Sequence, residues 1–251
     1  MSSIQKQPNQ VIGFAKTLSV LLLIRTFFFS PHIIPSGSMY PTLEVGDYIV
    51  LSRAYYGYGK ANVPLSAFSF KGRFFNKPPT RGEVVVFRVA KDDDADYIKR
   101  LVGLPGDAIQ MIGGVLHING KSVDLKRLPD YRYRDETGVT SVVAQFEETL
   151  PNGVKHRILK HEPFGRGYYD NTDVFYVPEG HYFMMGDNRD RSKDSRHMGV
   201  VGFVSEEALI GKPEFMFYSK KVFGKPPFFG WFMPWTWFQG VRPERFFQRI
   251  K

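Results

Sequence analysis

From residue 43 onward the chain is written in runs too short and too often interrupted to make long helices. YIVLS, EVVVFRV, DYIKRLVG, DAIQMI, GVLHING, HYFMMGD and GFVSEEALIGKPEFMFY are apolar or alternating, and Gly and Pro punctuate them. No long 3.6-residue periodicity follows residue 35. The expected fold is therefore mainly β, an antiparallel sheet or barrel-like core. Asn119-Gly120 inside GVLHINGKSVD predicts a type I′ hairpin, because both central positions of that turn need positive φ. Ser205 to Ile210 reads as one helical turn, capped by the serine with acidic residues behind it. The stretch 121–176 is polar and irregular, so a variable insertion or sub-domain is expected over about residues 108–178.

The one long helical candidate precedes this β region. Residues 11–34 (VIGFAKTLSVLLLIRTFFFSPHII) are predominantly apolar. At about 1.5 Å per residue they are long enough to cross a hydrocarbon core of about 30 Å. Lys16 and Arg25 interrupt the stretch, and a charge at mid-bilayer is costly unless it reaches an interface. Hydropathy leaves three placements open: a transmembrane anchor, a cleavable secretory signal, or an interfacial amphipathic helix. No small-x-small cleavage site follows the apolar run, which counts against the secretory signal.

Composition narrows the partners. The net charge is +9, with Lys and Arg scattered rather than clustered and no nucleic-acid-binding motif present. That argues against nucleic acid and favours an anionic lipid surface. The absence of cysteine excludes a disulfide framework, a thiolate metal site and a Cys nucleophile. The C-terminal stretch FGKPPFFGWFMPWTWFQGVRPERFFQRIK holds all three Trp. It reads either as a tail packed on the domain or as an apron at the bilayer. In the second reading Trp231, Trp235 and Trp237 sit at the interface, with Arg242, Arg245 and Arg249 near lipid phosphates.

Four segments carry the chemistry. IPSGSMYPTLEVGD (34–47) holds Ser36 and Ser38 on a turn made tight by Pro35, Gly37 and Pro41; alone, such a loop is ordinarily a turn or a helix cap. DYIKRLVGLPGD (96–107) places Lys99 and Arg100 on opposite faces of a strand, so one of them faces a more apolar environment. A solvated Lys at a strand edge is the ordinary outcome, but a buried one loses basicity and can accept a proton from a serine hydroxyl. RGEVVVF (81–87) is a turn followed by a buried strand. GDNRDRSKDSR (186–196) is a loop dense in acids and arginines. Asp187, Asn188, Asp190 and Asp194 are possible oxygen ligands, but the Gly and terminal Glu of an EF-hand loop are missing.

Together these four segments closely resemble the sequence boxes of bacterial type I signal peptidases. That family reads apolar anchor, P-S-x-S-M-x-P-T-L, R-G-D-V-V-V-F, Y-x-K-R-x-x-G-x-P-G-D and G-D-N-x-x-x-S-x-D-S-R. This chain matches in order at Pro35 to Leu43, Arg81 to Phe87, Tyr97 to Asp107 and Gly186 to Arg196, with Glu83 where Asp is common. The resemblance covers residues 11–107 and 181–212 well and is loose elsewhere. It implies Ser38 as nucleophile, Lys99 as general base, and Ser36 with the Ser38 N–H as oxyanion hole. It further implies that Ser192 orients the Lys amine and that Asp187, Asp194, Arg196, Gly186 and Arg100 support the site. Arg196 is expected to pair with Asp194 and Arg100 with Asp187. Ile34, Pro35, Met39, Ile49, Val86, Tyr97 and Ile98 match the pockets for small side chains of an extended signal peptide. No metal, no cofactor and no nucleic acid is implied.

The organisation expected is a cytoplasmic N-terminus at 1–10, a transmembrane anchor at 11–33, a β-rich catalytic domain at 34–220 and the tail at 221–251. That organisation implies a single-pass protein of the inner (plasma) membrane with its catalytic domain on the periplasmic or outer face. Its partners would be preprotein signal peptides, the lipid bilayer and the protein export machinery. A conjugation-type maturation protease or a self-cleaving repressor protease would share a Ser/Lys pair, but the repressor type lacks the anchor and the GDN box. A non-enzymatic scaffold would require loss of Ser38 or Lys99, and both are present.

Overall fold

The computed structural model describes residues 8–61, 72–134, 139–221 and 240–250. Helix α1 spans Pro8–Phe27 and exposes apolar side chains along its length, Val11, Phe14, Leu21 and Leu23 among them. Among the described residues no helix is long and apolar enough to cross a membrane. The expected anchor over 11–33 is also cut short. Phe29–Ile33 leaves the helix as strand β1 and pairs antiparallel with β2 (Asp47–Ser52), from Phe29↔Ser52 to Ile33↔Tyr48. Pro31 explains the stop: it lacks an N–H and disfavours helical backbone at the residue before it, yet an edge strand tolerates it.

Strands β3 (Val84–Val89) and β4 (Ala95–Gly103) form a hairpin, and the β-branched run of β3 is buried on both faces. β5 (Ala108–Ile112), β6 (Val115–Ile118) and β7 (Lys121–Ser122) follow as a meander. The turn between β6 and β7 has Asn119 at φ 54° and Gly120 at φ 76°, as a type I′ turn requires. Next come β8 (Asp124–Arg134), β9 (Thr140–Thr149), β10 (Lys155–Lys160) and β11 (Phe175–Tyr176). The chain then returns through β12 (His181–Met185), β13 (Val204–Ser205) and β14 (Leu209–Ser219).

Every ladder between these strands is antiparallel. They make a seven-stranded sheet ordered β1-β2-β14-β3-β4-β12-β13, a three-stranded sheet β10-β9-β8 and a four-stranded sheet β11-β5-β6-β7. The ladder of β14 to β2 shifts register after Pro213, where the missing N–H interrupts the pairing. The turn after β13 is a single 3-10 turn, Glu206–Ala208, and the Ser205 side chain makes no capping bond.

The region read as irregular over 121–176 is instead two long strands and their neighbours. Charges such as Lys126, Arg127, Asp130 and Arg132 hide the period-2 signal, because β8 and β9 bury little but Val143, Gln145 and Glu148. The insertion also shares the main core. Ile109, Met111, Leu116 and Ile118 pack in one cluster with Val102, Phe183 and Met185 of the large sheet.

The C-terminal segment departs from the lipid-facing reading. Arg242 is buried and donates to Ser219 Oγ at 2.7 Å and to the Val45 carbonyl at 2.8 Å, and it also pairs with Glu44 and Asp47. Arg245 reaches Asp47 at 2.6 Å and Glu44 at 3.0 Å. Buried Asp47 and half-buried Glu44 claim both guanidinium groups, so neither is available to lipid phosphate. Ile250 completes a core cluster with Ile34, Met39 and Leu43. Arg249 is exposed. Trp231, Trp235 and Trp237 lie outside the described residues.

Candidate active site

Ser38 sits on the 3-10 turn Gly37–Met39, whose position is set by its neighbours. Met39 and Leu43 are fully buried in the cluster with Ile34, Ile49 and Val84, so the turn is nailed to the sheet on its inner side. Lys99 projects from the middle of β4, where Val85 of β3 is its register partner. Its Nζ lies 2.8 Å from Ser38 Oγ and donates to the Ile98 carbonyl at 2.8 Å. Only 3% of Lys99 is exposed. Burial brings its pKa down from 10.5 to about 8, against the opposing pull of Asp194 and Asp187. A large share of the amine is thus neutral near pH 8.

Arg100, on the other face of β4, is buried too. It is neutralised by Asp187: Nε to Oδ1 at 2.8 Å and Nη2 to Oδ2 at 2.7 Å, with Nη1 on the Gly82 carbonyl at 2.7 Å. Thr42 donates to Asp187 at 2.5 Å, tying this pair to the serine loop. Arg196 closes the same kind of two-pronged pair on Asp194, at 2.9 and 2.8 Å, and Gly186 N–H donates to that carboxylate at 2.9 Å. Arg189 does the same with Glu148 of β9, at 2.8 and 2.5 Å. Three guanidiniums and three carboxylates therefore meet one for one in the interior, which such buried charges require. Burial alone would push these carboxyls up; the arginines hold Asp187 and Asp194 below their ordinary values.

Gly186 has a steric reason. A Cβ there would lie 2.6 Å from the Ser38 carbonyl oxygen and 2.2 Å from Ser192 Oγ. Ser36 is exposed, with its Oγ 3.4 Å from Ser38 Oγ. Ser192 falls beside Asp194, and its buried Oγ makes no well-aligned hydrogen bond. The Lys99 amine is held by Ser38 and the Ile98 carbonyl instead.

The pair opens into a groove of about 550 Å³. Of the expected pocket residues, Pro35, Tyr97 and Ile98 line it. Ile34, Met39, Ile49 and Val86 do not: they are buried in the core beneath, where their apolar side chains pack on Leu43, Leu51 and Ile210. Sequence reasoning missed part of the lining. Tyr133 comes from β8 of the insertion and packs on Tyr40 with ring centroids 4.8 Å apart. Nothing local marks it. Asn188, Arg191 and Lys193 come from the GDN segment, whose sequence marks Asn188 only as an oxygen ligand. Among the described residues no group of three or more His, Asp or Glu is placed to hold a metal ion.

A serine hydroxyl resting on a buried amine at the floor of an open groove is an arrangement that can support acyl transfer to serine, and the family comparisons make the chain a serine endopeptidase. It belongs to the family described as signal peptidase, peptidase S26, whose pattern matches residues 9–218. The signal peptidase I of Rickettsia rickettsii (strain Sheila Smith) is 44% identical over 230 residues, covering 88% of this chain and 84% of that protein. That of Rickettsia prowazekii (strain Madrid E) is 45% identical over 226 residues, covering 86% and 83%. A crystal structure of a signal peptidase I from Enterococcus faecalis V583 is 26% identical, covers 54% of this chain and 97% of that chain, and has a TM-score of 0.31.

Proposed function

We propose that this chain removes N-terminal signal peptides from exported preproteins, with Ser38 as nucleophile and neutral Lys99 as general base. The observation that carries the reading is the 2.8 Å contact between Lys99 Nζ and Ser38 Oγ in a buried setting. With the amine neutral, the Ser38 hydroxyl donates to Nζ. Oγ attacks the scissile carbonyl as its proton passes to Lys99. The oxyanion takes hydrogen bonds from the Ser38 N–H and the Ser36 hydroxyl; one such donor contributes about 3–4 kcal/mol. The Lys99 ammonium then returns the proton to the departing amine of the mature chain. Water, deprotonated by the same amine, hydrolyses the ester and frees Ser38.

The peptide would lie extended in the groove, a mode in which main-chain bonds give affinity and alternate side chains give specificity. Pro35, Tyr97 and Ile98 line its path, and Ile34, Met39, Ile49 and Val86 support that wall from beneath. Ser192, Asp187, Asp194, Arg196, Gly186 and Arg100 hold the loop against the pair. No cofactor enters any step.

The same reading makes α1 the anchor of a single-pass inner (plasma) membrane protein, with residues 1–10 cytoplasmic and the catalytic domain on the periplasmic or outer face. Twenty helical residues span about 30 Å. Among the described residues the apolar side chains of α1 are exposed, and Lys16 and Arg25 are long enough to reach head groups. The export machinery would deliver the preproteins. Detergent-solubilised enzyme should process a preprotein, and Ser38→Ala should not; processing by folded Ser38→Ala would end the proposal. The anchor reading fails if alkaline carbonate releases the chain from membranes.

A further inference from the structure

Ser38 needs more than a base. If its main-chain N–H is to meet an oxyanion, the Gly37–Ser38 peptide plane must be held in one orientation. That bond is trans, as the only cis bond among the described residues is Tyr40–Pro41. In a trans unit the C=O and N–H point in opposite directions, so fixing one fixes the other. The Gly37 carbonyl accepts two hydrogen bonds. One is local, from Tyr40 N–H at 3.1 Å. The other comes from far along the chain: Asn188 Nδ2 donates to it at 2.9 Å.

Asn188 also donates its own N–H to the Ser38 carbonyl at 3.1 Å. It thus grips the peptide units on both sides of the serine. Its own position is fixed by the insertion. Asn188 bridges in parallel to Leu159 of β10; Leu159 N–H donates to the Asp187 carbonyl at 2.9 Å, and Arg189 N–H donates to the Leu159 carbonyl at 3.0 Å. The Arg189–Glu148 pair pins the next residue to β9. Asn188 is 1% exposed, so water competes little for these bonds.

We propose that Asn188 is a positioning residue for the oxyanion hole: through its grip on the Gly37 carbonyl it aims the Ser38 N–H at the developing oxyanion. This rests on the Ser38 reading above. It predicts a defect confined to the transition state. Although Asn188 lines the groove, at 1% exposure it offers a substrate almost no surface, so binding changes little; the base is left in place because Lys99 Nζ hydrogen-bonds neither Asn188 nor the Gly37 carbonyl.

The test uses the full chain in detergent, with Asn188→Asp and Asn188→Ala. Asp keeps the shape but replaces the amide donor with a carboxylate that repels the Gly37 carbonyl; Ala removes the donor and keeps the main-chain bond to Ser38. Both should lower kcat about 10- to 100-fold with KM changed less than about threefold. A peptide aldehyde adds Ser38 Oγ to its carbonyl carbon and becomes a tetrahedral oxyanion mimic. Its affinity should fall by the same factor as kcat/KM. The acid limb of the Asn188→Ala pH profile should stay where it is in the wild type, which general loosening of the site would not allow. Should Ala fail to fold, the isosteric Asp variant decides. Either folded variant within about threefold of wild-type kcat overturns the proposal, as does unchanged aldehyde affinity beside a fallen kcat. Ser38→Ala run in parallel separates the two claims. If it still cleaves, the dyad reading falls; if it is dead while the Asn188 variants are fully active, only the positioning role falls.

Discussion

Replacing Lys99 with Met should destroy activity and, at neutral pH, stabilise the protein. Lys99 is buried with its pKa brought from 10.5 to about 8 by desolvation. Each tenfold change in a protonation equilibrium is worth about 1.4 kcal/mol, so at pH 7 burying this amine costs folding about 3 kcal/mol. The sign follows from proton counts. Between pH 8 and 10.5 the unfolded chain holds the Lys proton and the folded one does not, so stability rises with pH there. The cost is therefore full below about pH 8 and gone above about pH 10.5.

Met has similar length and volume and carries no charge. It forfeits the bonds to Ser38 and the Ile98 carbonyl, each worth about 1 kcal/mol net. Lys99→Met should thus be about 1 kcal/mol more stable than wild type at pH 7. That advantage should shrink by about 2.5 kcal/mol between pH 7 and pH 10 and change sign. Urea unfolding of both proteins across this range measures the difference, and groups common to both cancel. A difference that stays constant from pH 7 to 10 would refute the reasoning, because it would mean that the folded Lys99 titrates like an exposed one.

The same amine sets the rate: kcat/KM should climb about tenfold per pH unit below a limb near pH 8 and level above it, and a flat profile from pH 6 to 10 would exclude Lys99 as base. Peptides with Ala at the first and third positions before the cleaved bond should be processed, while Phe there should cost on the order of 1–3 kcal/mol; equal kcat/KM would count against shallow pockets. Arg242→Ala removes one of the two guanidiniums that share Glu44 and Asp47, with Arg245 still paired to both, and should lower unfolding free energy by about 1.5–3 kcal/mol, whereas exposed Arg249→Ala should change it by less than about 0.5 kcal/mol. Similar small effects of both substitutions on denaturant midpoints would show that the C-terminal ion pairs contribute nothing.

Features whose cause is local could be read from the residues. The β3 run EVVVFRV, the Asn119-Gly120 turn and the loop bearing Ser38 follow from side-chain branching, allowed φ and short-range turn chemistry. The matching boxes also carried the ionic pairs Arg100–Asp187 and Arg196–Asp194, since the two partners sit in motifs that can be recognised separately. Helix α1 was legible as apolar, but its end was misplaced, because pairing of β1 to β2 competes with helix across Phe28 to Ile33 and Pro31 tips the balance.

What depends on distant parts of the chain had no local signature. Lys99 is an ordinary strand lysine until folding sets it against a serine 61 positions away and removes its water. Asn188 grips a carbonyl 151 positions away, and Tyr133 enters the groove wall from a strand that looks like polar insertion. Arg242 and Arg245 read equally well as lipid contacts or as structural ions; only the arrival of Glu44 and Asp47 beside them decides. The physical reason is common to all five: a polar side chain is defined by what surrounds it, and folding replaces water with partners that no neighbouring residue announces.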